Sequence, residues 1–171
     1  MSALGNRILR VDHAGEHGAV SIYTGQIVAA RITAPSLLAE LREFRVHERA
    51  HRAIFAAELE RRGVRRCQSY WLCALGGFVL GLLTGLFGRS AIAATTVAVE
   101  RVVLRHLDEQ LSMLRAEDPE AVAAISAIVR EEREHHDRSA LHVGAGTFWP
   151  RVLTPVVSGS TEAVIRLGMW L

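Results

Sequence analysis

Two Glu-x-x-His pairs, Glu48–His51 and Glu132–His135, are the residues of this sequence best placed to do chemistry. Residues three apart on a helix lie one above the other on one face, so each pair can hold a metal ion from a single helix. Alone, such a pair is a weak signal, because on a surface helix it usually belongs to a solvated polar face. The spacing strengthens it. Another glutamate stands 32 residues ahead of each pair, Glu16 before Glu48 and Glu100 before Glu132, so one offset of 84 residues relates the two trios. Gln26 and Gln110 obey the same offset. Glu100 follows the apolar run Thr96-Val97-Ala98-Val99, and Glu16 sits among Ala14, Gly15, Gly18 and Ala19. An unpaired carboxylate is costly in such surroundings, and four of them call for two divalent cations. In this reading His51 and His135 each bind one ion, Glu16 and Glu100 are terminal ligands, and Glu48 and Glu132 bridge. His47 and His136 fall outside the pattern, since Phe44 and Arg133 stand three residues before them. A mixed oxygen and nitrogen set with open positions suits iron or manganese better than zinc. A reduced iron pair of this kind binds and activates O2.

Four helices must position these residues. Apolar residues recur at helical spacing from Leu4 to about Arg31, with Glu16 near the middle. Thr33-Ala34-Pro35-Ser36 punctuates the run, and a second helix is expected from Pro35 to Arg62, capped by Gly63. Ser90 is expected to cap a third helix to about Arg115, which carries Glu100, His106 and Asp108. Asp118-Pro119-Glu120 opens a fourth, running through Glu132 and His135 to about His142 and broken by Gly144-Ala145-Gly146. A last apolar helix covers Trp149 to Leu171, with Pro155 near its start; the chain stops there in mid-pattern, so a few further residues are expected. The expected fold is all-α and a single domain. Two helical hairpins, 1–63 and 90–142, are joined by a long apolar crossover at 67–88 and followed by an additional C-terminal helix at 149–171.

Composition agrees with this class. The chain has 171 residues, half of them apolar, enough for one core without disulfides. Its basic residues are all arginine, the net charge is only +2, and no basic tract interleaved with aromatics suggests nucleic acid. Cys67 and Cys73 form no CxxC, which points to a reducing, cytosolic setting, and Met1 to Arg10 lacks the apolar core of a signal peptide.

No charge occurs between Arg66 and Arg89. The segment 67–88 contains Trp71, Leu72, Phe78, Leu82, Leu86 and Phe87 together with five glycines. A transmembrane helix needs roughly 20 apolar residues, so length alone permits a span. A span would place the two hairpins on opposite sides of the bilayer and divide the metal site between them. The segment is therefore expected to run along the bundle. Having no polar face, and flanked by Arg61, Arg62, Arg65, Arg66 and Arg89, it is expected to dock on a membrane with arginines at anionic headgroups. Trp149, Val156, Val157 and Trp170 of the last helix would extend that patch.

Three stretches carry a family resemblance: Arg10-Val11-Asp12-His13-Ala14-Gly15-Glu16, Thr96-Val97-Ala98-Val99-Glu100 and Glu131-Glu132-Arg133-Glu134-His135-His136-Asp137. They resemble the signatures of the demethoxyubiquinone monooxygenases, the di-iron hydroxylases of ubiquinone biosynthesis, and the likeness extends over nearly the whole chain. It implies a ferritin-like four-helix bundle with two iron ions per chain on Glu16, Glu48, His51, Glu100, Glu132 and His135. It implies O2-dependent ring hydroxylation of demethoxyubiquinol (2-polyprenyl-3-methyl-6-methoxy-1,4-benzoquinol), with NADH as ultimate electron source. It also implies peripheral attachment to the cytoplasmic face of the inner membrane that holds the polyprenyl quinone. Other ubiquinone-biosynthesis proteins and a second copy of the chain are the expected protein partners. His106 matches a histidine of the family, read here as an outer group or proton relay, or else as a solvated helix-face residue. The tyrosine that commonly follows it in the family is Leu107 here. Leu72, Phe78, Leu82 and Leu86 are expected to form the channel for the isoprenoid tail, and Asp12, Asp108 and Asp137 are candidates to orient the ligand imidazoles. The competing expectation is a ferritin- or bacterioferritin-like protein that oxidises and stores iron.

Overall fold

The computed structural model describes residues 1–144 and 148–171, and the expected break at Gly144-Ala145-Gly146 lies partly outside them. Six α-helices follow one another: α1 (Ala3–Thr33), α2 (Leu38–Arg61), α3 (Tyr70–Leu86), α4 (Arg89–Leu114), α5 (Pro119–Ala140) and α6 (Phe148–Trp170). Among the described residues there is no strand.

The ends of the helices follow from local chemistry. Ser2 caps α1 by accepting from the Gly5 amide at 2.9 Å. Pro35 opens a single 3-10 turn, Pro35–Leu37, so α2 begins three residues later than expected. Gly63, at φ +64, closes α2. Ser90 does not cap α4. Gly88 takes that place at φ +81, in the left-handed region, and its carbonyl accepts from the Ile92 amide at 3.0 Å. Asp118 caps α5 by accepting from the Ala121 amide at 3.2 Å, with Pro119 as the first helical residue.

Asp118 does more than cap. Its carboxylate receives Arg62 Nη2 at 2.7 Å, Arg62 Nη1 at 2.8 Å and the Ser2 amide at 2.7 Å. It thereby ties the starts of α1 and α5 to the end of α2. A Cβ on Gly5 would overlap that carboxylate. Arg62 is thus a buried structural cation, its side chain 1 % exposed, and not a headgroup contact. Arg61 pairs with Glu58 and Arg89 with His142, which leaves Arg65 and Arg66 of the expected flanking set. Arg66 lies over the rings of Tyr70 and Trp71.

The hairpins α1/α2 and α4/α5 form the four-helix bundle. Ile8, Leu9, Phe55, Leu59, Leu114, Ile125 and Ile128 fill one end, and Tyr23, Ile27, Leu37, Leu41, Phe44 and Ile92 fill the other. Between these two apolar plugs lies the layer that holds the buried glutamates and histidines.

The other two helices flank the α1/α4 face. On α3, Gly77, Gly81 and Gly85 recur every four residues and close on Gly18, Ile22 and the Gln26–Ala29 turn of α1. A Cβ on Gly77 would overlap the Gly18 carbonyl, and one on Gly81 the Ile22 carbonyl. The glycines therefore serve close backbone approach, where the sequence suggested only a soft helix. With that face inward, Trp71, Leu75, Val79, Leu83 and Leu86 are exposed. The 17 residues of α3 cover about 25 Å, and no helix among the described residues is long and apolar enough to cross a membrane. On α6, Ser158 Oγ donates to the Ala98 carbonyl at 3.2 Å and Val157 is buried against Ala98 and Val99. Val157 is therefore core, while Phe148, Val152, Val156 and Trp170 stay exposed.

Candidate metal centre

All six residues singled out by spacing meet in the buried layer. One ligand atom each from Glu16, Glu48, His51 and Glu132 lie within 4.8 Å of one another, and so do atoms of Glu48, Glu100, Glu132 and His135. Glu48 and Glu132 belong to both groups, as bridging carboxylates must. None of the six is more than 6 % exposed. The arrangement is pseudo-symmetric across α2 and α5. His51 Nδ1 lies 2.8 Å from Glu132 Oε1, and His135 Nδ1 lies 3.0 Å from Glu48 Oε1.

Five atoms of this layer make no aligned hydrogen bond among the described residues: Glu16 Oε2, and the two pairs that meet only each other, His51 Nδ1 with Glu132 Oε1 and His135 Nδ1 with Glu48 Oε1. Buried polar atoms are almost always satisfied, because leaving one unpaired costs about 1–3 kcal/mol. Five such poorly satisfied ligand atoms from five residues, converging within one buried layer, fit a pair of cations. The donor set, four carboxylates and two imidazoles, is hard and oxygen-rich, as iron or manganese requires.

Behind each imidazole stands a partner that the sequence reading missed. Glu131 Oε2 lies 2.8 Å from His51 Nε2, and His47 Nδ1 lies 3.0 Å from His135 Nε2. A carboxylate can only accept, so Glu131 holds a proton on His51 Nε2 and leaves the Nδ1 lone pair for a metal. Asp12, Asp108 and Asp137 do not fill this role: Asp12 bonds Gln110, Asp137 bonds His136, and Asp108 is exposed. A signal was present. His47 and Glu131 directly precede Glu48 and Glu132 and obey the same offset of 84. Tyr23, whose hydroxyl donates to Glu100 Oε1 at 3.2 Å, had no such signal.

Without cations the layer is held together by protons. Burial pushes Glu16 and Glu100 well above the ordinary carboxylate range, and neighbouring carboxylates add to the rise. Burial also acts against charge on Glu132 and His135. The contacts of Glu132 with His135 and His51 nevertheless bring it down to about 2, and those of His135 with Glu132 and Glu48 raise it to about 9. Cation binding must release these protons, so affinity for metal rises with pH.

A cavity of about 280 Å³ leads to the layer between α1 and α4 on one side and α3 and α6 on the other. Glu16, Glu48, Glu100 and Glu132 form its inner end, and Val11, Ile22, Leu80, Val99, Val103 and Val164 contribute apolar wall. Of the expected channel residues Leu72 lines it, whereas Phe78, Leu82 and Leu86 do not. The inward glycine face of α3 turns Phe78 and Leu86 out to the surface and leaves Leu82 half-buried. Trp71 and Phe87 are likewise exposed. His106 lies in the cavity wall, away from the six clustered residues, with Nε2 3.0 Å from Glu162 Oε2 on α6.

Residues 3–168 match the family described as Ubiquinone biosynthesis protein COQ7. The chain belongs to that family. It is 36 % identical over 171 residues to the 3-demethoxyubiquinol 3-hydroxylase of Rhodospirillum rubrum, covering 99 % of this chain and 78 % of the relative. It is also 36 % identical over 167 residues to proteins of Mus musculus and Homo sapiens named NADPH-dependent 3-demethoxyubiquinone 3-hydroxylase, mitochondrial, with 95 % of this chain and 76 % of each relative covered.

Proposed function

We propose that this COQ7-family protein hydroxylates the ring of a demethoxyubiquinol with O2 at a di-iron centre. The observation that carries the reading is the buried layer itself: two four-residue groups sharing Glu48 and Glu132, with five ligand atoms that lack an aligned hydrogen bond, at the end of an apolar cavity. Two iron ions held there supply the O2 activation and the electron transfer that the protein's side chains cannot.

The chain's own residues do the remainder. Glu131 and His47 fix the ring orientation of His51 and His135. Tyr23 holds Glu100 by a hydrogen bond. The apolar walls from α1, α3, α4 and α6 exclude water around a ring and the first part of a polyprenyl tail. The reducing equivalents come from a reduced nicotinamide dinucleotide, with NADPH the form named for the mouse and human relatives.

The exposed apolar side chains of α3 and α6 flank the cavity and support peripheral docking on the membrane that carries the quinone, at its cytoplasmic face. The same surface would serve contacts with other ubiquinone-biosynthesis proteins or with a second copy of the chain. An iron-storage cage requires a polar, freely soluble shell, and the outer face of α3, with Trp71, Leu75 and Leu83, is the opposite of one.

The test is turnover. Iron-loaded protein given demethoxyubiquinol, a reductant and O2 should form the hydroxylated product, and Glu132→Ala or His135→Ala should abolish it while helix content by circular dichroism is retained. Iron uptake into large uniform particles, with no hydroxylated product, would replace this reading with the storage one.

A further inference from the structure

One polar pair in the cavity wall is used neither by the metal layer nor by any helix cap. Asp12 lies one turn before Glu16 on α1, about 6 Å along the axis. Gln110 lies on α4, and its Nε2 donates to Asp12 Oδ1 at 2.9 Å. Both residues line the cavity, and Gln110 is only 6 % exposed. Asp12 Oδ2 and Gln110 Oε1 are buried and without a partner among the described residues. The orientation of the amide is fixed by its neighbour: the carboxylate accepts, so the amide nitrogen faces it and the amide oxygen is left over. With Asp12 ionised the pair therefore offers two unpartnered acceptors, beside one remaining donor, the second N–H of the Gln110 amide.

Two unused acceptors in an apolar wall are matched by a hydroxyl. A quinone ring has only carbonyl and ether oxygens, which accept; the reduced ring has phenolic O–H groups, which donate. We propose that Asp12 and Gln110 form the ring subsite of this cavity, recognising a hydroxyl of the quinol in preference to a carbonyl of the quinone, with Asp12 taking the hydroxyl proton. The proposal rests on the quinol-hydroxylase reading given above. In the step, the ring O–H bond breaks, the proton passes to Asp12 Oδ2 and the electron pair stays on the ring oxygen. No electron is transferred. The resulting oxyanion raises electron density at the ring carbons beside it, which makes such a carbon easier to hydroxylate.

Burial raises the Asp12 carboxyl to about 7, against the opposing hydrogen bond from Gln110, so it exchanges a proton near neutrality. The other titratable groups of the cavity wall are Glu16 on the same helix, Glu48 on α2, Cys73 on α3, Glu100 and His106 on α4, and Glu132 on α5. From α6 the wall receives only Ser160, Thr161, Val164 and Ile165, none of them ionisable.

Asp12→Asn keeps the shape and the acceptor for Gln110 but cannot take the proton; Gln110→Met removes the amide at similar volume. Both are compared with the unaltered protein, metal-loaded and free of O2, for binding of short-tail demethoxyubiquinol and demethoxyubiquinone, and then for turnover in air. At pH 8, where Asp12 is ionised, the unaltered protein should bind the quinol about tenfold or more tightly than the quinone, and both variants should lose that preference. Asp12→Asn should also lose about a hundredfold in kcat, together with the rise in activity as pH increases through about 7. Equal affinity for the two ring forms in the unaltered protein overturns the proposal, as does an Asp12→Asn variant with unchanged preference, kcat and pH profile. Loss of bound metal or of helix content in both variants would make the pair structural and overturn it too. Absence of hydroxylated product from the unaltered protein refutes the hydroxylase reading separately, since the binding comparison is scored without turnover.

Discussion

Glu131→Gln is the most direct probe of the metal layer, because it changes one atom behind one ligand and leaves the six clustered residues intact. Glu131 Oε2 lies 2.8 Å from His51 Nε2, at the rim of the layer, with its side chain 29 % exposed. The carboxylate fixes the proton on Nε2 and makes the ring a better donor through Nδ1. An amide in its place can turn its NH2 group towards Nε2, which favours the tautomer with the proton on Nδ1, where a metal would bind. The loss of a group in this position weakens metal binding by about 10–100-fold, or about 1.4–2.8 kcal/mol. Only the ion on His51 should feel it. His135 is held instead by His47 at 3.0 Å, so His47→Ala should weaken the other ion. Anaerobic titration with ferrous or manganous ion, followed by calorimetry, should show two equivalents in the unaltered protein and one weakened equivalent in each single variant. Equal weakening of both equivalents in Glu131→Gln, or no change in either, would refute the assignment of one outer partner to each imidazole.

The other expectations concern the scaffold. Asp118→Ala leaves the Arg62 guanidinium buried without its main partner and should cost about 3–5 kcal/mol, seen as a fall in Tm of roughly 6–20 °C. Arg62 holds the Asp118 carboxyl below the ordinary range, so this contribution is complete above the unfolded carboxyl value near 4 and disappears as pH falls through the lower folded value. Acid melting curves of Asp118→Asn and the unaltered protein should therefore converge at low pH. Gly81→Val must push α3 away from the Ile22 carbonyl and should destabilise by about 1–3 kcal/mol or more; an unchanged Tm would contradict the close packing. Replacing exposed Leu75, Leu83 and Phe87 with Ser should release the protein from liposomes with its metal content unaltered, and persistent binding would remove α3 from the docking surface.

Much of this molecule is legible in the sequence because its strongest signals are periodic. Helical periodicity exposes the bundle helices, and the repeated Glu, Glu-x-x-His pattern marks six residues that the fold does bring together. Most of the failures share one physical cause: which way a residue points around a helix depends on what packs against it. His47 and Glu131 lie one position, about 100° of helix, away from Glu48 and Glu132, yet each reaches the imidazole on the opposite hairpin. Arg62 reads as a flanking cation for lipid until Asp118, 56 residues away, is folded beside it. Ser90 has the chemistry of a cap, but the left-handed turn before α4 needs Gly88.

The apolar crossover shows most clearly why composition does not assign a face. Every residue from Cys67 to Gly88 lacks charge, so hydrophobicity cannot distinguish inward from outward positions. The glycines can. Gly77, Gly81 and Gly85 lie on one line of the helix, and only that line can close on the α1 backbone. Once it does, Leu72, Cys73, Gly76 and Leu80 fall along the cavity edge and Leu75, Val79, Leu83 and Leu86 face away from the bundle. A bulkier residue on the glycine line would lift the cavity wall and tilt the outer apolar face together. The shape of the substrate space and the orientation of the exposed surface are therefore set by a single helix contact. Gly81→Val should change quinol affinity and liposome binding in parallel; a change in one without the other would show that the cavity wall and the outer face move independently.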